Sequence, residues 1–207
     1  MTGLLEKDFL VLKKTMWFVF PVALLWAFMP GLKDFVIIYF AILTLSTISY
    51  DEQCKWNVIA KAMPYSPFER VFSKYLFSYL WTAAGILLTV IGRFLVAFIT
   101  KNPVSADEFI TTALAVLMSQ LIIGIDLPLV FRFGVTKMRY LTLIFAGLLG
   151  GGFAAMTSTN EDTFWIAELA GESAAFPAVM AIFAVIVILL HVGGVAYSIK
   201  AQETYGN

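Results

Sequence analysis

"YDEQCKWNVIAKAMPYSPFERVFSKYL" (residues 50–76) joins two apolar runs, and its reading decides how the chain is threaded. Asp51 and Glu52 open it, and acidic residues suit the first turn of a helix. Trp56, Ile59, Ala60 and Met63 then recur at three- and four-residue steps, with Glu52, Lys55 and Lys61 on other faces. This spacing predicts an amphipathic helix lying on or under a membrane. Pro64 ends it, and the "PYSP" turn has a restricted backbone. Ser66 followed by Pro67 is a cap with proline at the first helical position, so a second helix starts there and carries Arg70 and Lys74 into the next apolar run.

Composition sets the surroundings. The chain has 207 residues, of which 60% are hydrophobic and 14% charged, and its mean hydropathy is +0.87. Soluble domains carry about 25% charged residues, so these values predict one membrane domain over residues 1–207 with no separate soluble one. The zero net charge does not suggest nucleic acid as a partner. The single cysteine, Cys54, excludes an internal disulfide and a multi-cysteine metal site. "LEKDFLVLKK" followed by bulky residues does not read as a cleaved signal peptide.

A spanning helix needs about 20 mostly apolar residues. Six segments qualify: 16–32, 34–50, 72–99, 109–131, 139–157 and 175–199. Pro21 predicts a kink in the first. Six crossings put both termini on one side. If that side is the cytosol, the inner segments hold Lys7, Lys13, Lys14, Lys55, Lys61, Arg70, Lys74, Arg132, Lys137, Arg139 and Lys200, against Lys33 and Lys101 outside. That asymmetry follows the positive-inside rule. The expectation is an all-α polytopic protein of six transmembrane helices, both termini cytoplasmic. An amphipathic elbow helix at about 3–14 has Leu4, Leu5, Phe9 and Leu12 on one face, and a cytosolic coupling region covers about 51–71.

Some residues stand out inside the apolar runs. Arg93 lies about 9 Å from the outer end of its span at about 1.5 Å per residue, near enough to snorkel to the headgroups. The alternative is a charge facing a translocation pathway. Asp126 precedes Pro128, which removes one helix hydrogen bond; it either pairs with Arg132 or Lys137 near the inner surface or, like Arg93, is a charge of the pathway that tunes coupling. Gly147, Gly151 and Ala155 sit four apart, a spacing that lets helices approach closely, either within the chain or across a dimer. The lone histidine, His191, reads as a packed side chain. The acidic stretch "STNEDTFWIAELAGESA" (158–174) predicts a short helix at the outer interface. No G-x-x-x-x-G-K-[ST] stretch is present, so no phosphate-cradling loop of that kind is expected. No catalytic cluster and no metal site can be assembled.

The segment at 50–76 resembles the loop after the second span in permease subunits of type-two ATP-binding-cassette (ABC) exporters. Asp51, Glu52, Trp56, Pro64, Arg70, Lys74 and Tyr75 carry the resemblance. "LPLVFRFGVTKMRYL" (127–141) is similar to that family's next cytosolic turn through Pro128, Phe133, Gly134, Lys137 and Arg139. Within that family the chain resembles the compact permeases similar to phenol-soluble-modulin and bacteriocin-immunity exporters. The resemblance implies a non-enzymatic permease of the bacterial plasma membrane. Its partners would be cytosolic ABC ATPase subunits, which bind ATP and Mg, and a second copy of the chain or a homologous permease. This chain itself would hold no cofactor. Residues 51–66 would seat in an ATPase cleft, and the fifth span would lie near the dimer axis. The cargo implied is an amphipathic or hydrophobic compound, such as a peptide or antibiotic. The alternative is an ATP-independent secondary transporter or channel, which would usually carry more ionisable residues deep in its spans.

Overall fold

A computed structural model describes residues 2–29, 31–135, 137–138, 140, 143–144, 147–148, 151 and 175–205. Six helices are defined among them: α1 (Thr2–Phe28), α2 (Phe35–Gln53), α3 (Trp56–Ala62), α4 (Pro67–Thr100), α5 (Ala106–Phe133) and α6 (Ala175–Tyr205). All but α3 are long and apolar enough to cross a membrane. In hydrocarbon a helix satisfies its own backbone groups, which is why apolar runs of this length take that form. The expected span at 139–157 falls mostly outside the described residues, as do Arg139, Ala155 and the stretch 158–174.

Two boundaries differ from the sequence expectation. No break separates an elbow from the first span: α1 runs unbroken from Thr2 to Phe28 with Pro21 inside it. Its buried stripe, Leu4, Asp8, Leu12, Val19, Ala23 and Ala27, is one continuous face. No Gly or Pro between residues 4 and 20 interrupts it. Phe9, expected on the inner face with Leu4 and Leu12, is 48% exposed, and its ring leans on Phe77 and Trp81 of α4.

The second difference concerns Asp51 and Glu52. They close α2 instead of opening the next helix. Carboxylates at a helix C-terminus oppose the macrodipole, so partners elsewhere must hold them there. The chain turns at Lys55, whose φ of 53° is left-handed, and α3 begins at Trp56. Only part of the predicted inner face of α3 turns inward. Ala60 is fully buried and Trp56 half-buried, whereas Ile59 and Met63 are exposed.

The start of α4 is as the sequence predicts. The Ser66 hydroxyl accepts from the Glu69 N–H, Glu69 reaches back to the Ser66 N–H, and Pro67 occupies the first turn. This reciprocal capping box fixes where the helix begins.

Helices α2 and α4 run antiparallel and form a closely packed pair. Small residues on α4 allow it: a Cβ on Gly85 would lie 3.1 Å from the Ile37 Cα of α2. Helix α1 covers this pair, burying Leu12, Val19, Ala23 and Ala27 with Val36, Phe40 and Phe77. Helices α5 and α6 pack on each other and on the α2–α4 pair, with Tyr75, Ile123, Leu127 and Val130 in their shared core. The outer surface is apolar: Trp17 and Phe98 are more than four-fifths exposed. An apolar exterior of this extent suits lipid rather than water.

Candidate functional site

Among the described residues the buried ion pairs gather at two places, one at each end of the α2–α4 pair. Lys74 and Arg93 lie on α4 about 28 Å apart, at about 1.5 Å per residue. That is close to the thickness of a bilayer's hydrocarbon core, about 30 Å.

At the α3 end, Lys74 is the hub. Its Nζ lies 2.7 Å from Asp8 Oδ1 of α1 and 2.6 Å from Asp51 Oδ2 of α2. It also donates to the Thr47 hydroxyl at 3.2 Å. Lys7 completes the group, 2.6 Å from Asp51 Oδ1 and 3.1 Å from Asp8 Oδ1. Two ammonium groups and two carboxylates thus neutralise one another. The Lys74, Asp8 and Asp51 side chains are each 10% exposed or less, so the charges are tolerable only because they are paired. Asp8 shares the buried stripe of α1 because Lys74 waits opposite it.

The same cluster holds α3. Lys7 Nζ sits 4.5 Å from the centroid of the Trp56 ring, a cation–π contact. The other side of α3 is open, with Val58 68% and Ile59 49% exposed, and Phe68 at the start of α4 stacks on Phe72. Glu52 reaches the chain beyond α5, its Oε1 accepting from the Val135 N–H at 2.7 Å. Gly134 there has φ of 79°, and a Cβ would lie 2.9 Å from Glu52 Oε1. Glycine is therefore required both by the backbone and by the carboxylate. A cavity of about 260 Å³ opens beneath, bordered by Glu52, Trp56, Arg70 and Gln202 together with the ion cluster.

The sequence-predicted residues thus separate. Asp51, Glu52, Trp56, Arg70 and Lys74 come together around one cavity. Pro64 is exposed in the turn after α3. Tyr75 does not join them: it is buried in the core, its hydroxyl 3.5 Å from Ser198 of α6. In the second predicted turn, Pro128 lies within α5, buried beside Gly194 of α6, and the turn itself begins at Gly134. Phe133 is 45% exposed and Lys137 is also exposed. Arg132 hydrogen-bonds the Tyr197 hydroxyl. Asp126 is 1% exposed and borders a small cavity with Thr44 and Ser78, between α5 and the α2–α4 pair. Gly147 and Gly151 have open space where a Cβ would stand, so within this chain they pack against nothing described. His191 is packed as expected, its Nδ1 2.9 Å from the Val187 carbonyl and its ring beside Tyr75 and Tyr79.

At the far end, Arg93 is buried and neither snorkels nor faces open space. Its Nη2 donates to both Asp34 oxygens at 2.7 Å and to Thr111 Oγ1 at 3.1 Å. Thr112 donates to Asp34 Oδ1 at 3.1 Å. Glu108 Oε2 stands 3.6 Å from Arg93 Nη1, and its Oε1 is 3.8 Å from Lys33 Nζ. The desolvation of a buried guanidinium makes a carboxylate partner preferable to a long reach toward headgroups.

Sequence reasoning missed Lys7, Asp8, Thr47, Asp34 and Glu108 as site residues. For Asp8 a signal was there: it interrupts the i, i+4 apolar row Leu4–Leu12, and a lone carboxylate on an apolar stripe requires a partner.

An all-helical bundle with an apolar exterior and neutralised charges inside defines a multi-pass membrane protein. The family model described as "ABC-2 family transporter protein" matches residues 3–202, and the chain belongs to that family. It is accordingly an ABC permease, a membrane component of a transport system. No curated protein and no solved structure matches the chain significantly.

Proposed function

We propose that this chain is the permease subunit of an ABC exporter of the bacterial plasma membrane, driven by ATP hydrolysis on separate cytosolic subunits. Both termini and α3 face the cytosol in this reading, which the distribution of Lys and Arg supports. The observation that carries it is the situation of α3. One side is tied through Trp56 to Lys7 and the Asp8–Asp51–Lys74 cluster, and the other presents Val58 and Ile59 outward. An apolar surface outside the spans, held by a cation–π contact to an ion cluster that joins three helices, suits a helix that docks on a partner and passes its displacement inward. The partner can shift the permease only by its preference for one of its conformations. A second copy of this chain or a homologous permease completes the pathway, and the open Gly147–Gly151 face is suited to that contact. The cargo is an amphipathic or hydrophobic compound, such as a peptide or antibiotic, as in the compact exporters the chain resembles.

The test is co-purification with a co-expressed ABC ATPase, followed by nucleotide-dependent transport in liposomes. Ile59→Glu and Trp56→Ala are expected to reduce assembly or ATP-coupled transport at least tenfold while the chain still inserts. Full coupled transport by both variants, or vigorous flux through the chain alone without nucleotide, would refute the reading.

A further inference from the structure

We propose that α2 and α4 move as a single body, and that Glu108 of α5 is a latch closing α5 onto the far end of that body.

The one-body part follows from where the charges are. Each end of α2 supplies a carboxylate to α4: Asp51 to Lys74 at 2.6 Å and Asp34 to Arg93 at 2.7 Å. Between these two clamps the helices are in backbone-scale contact at Gly85, and the Thr89 hydroxyl donates to the Lys33 carbonyl at 3.1 Å. Sliding or opening α2 against α4 would separate two buried ion pairs at once, and uncompensated buried charge is strongly unfavourable.

The hold of α5 on the far end is of a different grade. Its nearest groups are neutral hydroxyls, Thr111 and Thr112, each at 3.1 Å. Its carboxylate, Glu108, is 39% exposed and stops at 3.6 Å from Arg93 Nη1, beyond hydrogen-bond range. Arg93 Nη1 and Nε are buried and make no hydrogen bond. A small rotation of Glu108 would satisfy Nη1 and tighten the latch. Withdrawal of Glu108 would leave Arg93 neutralised by Asp34 and would part the carboxylate from Lys33 Nζ, 3.8 Å away; water can reach the freed carboxylate, which limits the cost. Just inside this cluster, Ala115 of α5 is fully buried against Ile37 of α2, so its accessibility reports whether α5 has parted from the pair.

The experiment uses the full chain in nanodiscs with the exposed Cys54 removed as Cys54→Ser. Ala115→Cys and, separately, Thr89→Cys are labelled with a bulky charged maleimide, with and without Glu108→Gln. The expected result is at least fivefold faster labelling at 115 when Glu108→Gln is present, with position 89 still protected. Raising salt from low to about 1 M, where the screening length falls to about 3 Å, is expected to speed labelling at 115 in the Glu108 chain and not in the Gln variant. Unchanged labelling at 115 in the Gln variant overturns the latch. Equal acceleration at 89 overturns the single body.

Discussion

The two ends of the α2–α4 pair are built from the same chemistry and hold differently. At the α3 end, two cations and two carboxylates from α1, α2 and α4 meet at 2.6–3.1 Å and are largely hidden from solvent. At the far end, one guanidinium faces one close carboxylate, and a second, half-exposed carboxylate stands 3.6 Å from it and 3.8 Å from Lys33. The first arrangement has no member that can leave without stranding a charge. In the second, Glu108 can leave while Asp34 still neutralises the buried Arg93, with loss of a looser 3.8 Å contact to Lys33. Distance and exposure, more than the kind of residue, separate a permanent joint from a releasable contact, because both Coulomb attraction and desolvation depend on them.

That contrast can be broken by measurement. Lys74→Met should have the largest effect, because it leaves Asp8 and Asp51 with Lys7 as the cation this cluster retains. Breaking a buried pair costs about 3–5 kcal/mol, read as a lowered midpoint of unfolding in detergent micelles. Adding Asp8→Asn should recover part of the loss, and a fully additive double variant would show that the cluster is not one unit. Asp34→Asn should come next. It keeps an oxygen acceptor for Arg93 but removes the charge, and a hydrogen bond to a charged group contributes about 1.5–3 kcal/mol. Glu108→Gln should be the smallest, below about 1 kcal/mol, as exposed ion pairs are. A Glu108→Gln loss equal to that of Asp34→Asn would erase the distinction between the clamp and the latch.

Much of the fold is legible in residue order. The Ser66–Pro67 cap marks the start of α4, and the apolar runs mark five spanning helices to within a turn or so at most ends. The misread boundaries have physical causes. Asp51 and Glu52 look like a helix start because carboxylates favour N-termini. They end α2 because Lys7, Lys74 and the Val135 N–H hold them. The N-terminal helix looks like a separate surface element because its charges are dense, yet one buried stripe carries it straight into the span. Arg93 reads as snorkelling because Asp34 is distant in sequence, and only the antiparallel pairing of α2 with α4 brings the two together.

What the residues by themselves determine is local: helices wherever apolar chain must satisfy its own amides, a cap at Ser66, a turn at Pro64, and the membrane as surroundings. Which charges meet is decided by the tertiary structure, because an ion pair depends on the register and facing of two helices. No single helix carries that information. Lys74 is one basic residue among many until α1 and α2 bring Asp8 and Asp51 to within 3 Å of it.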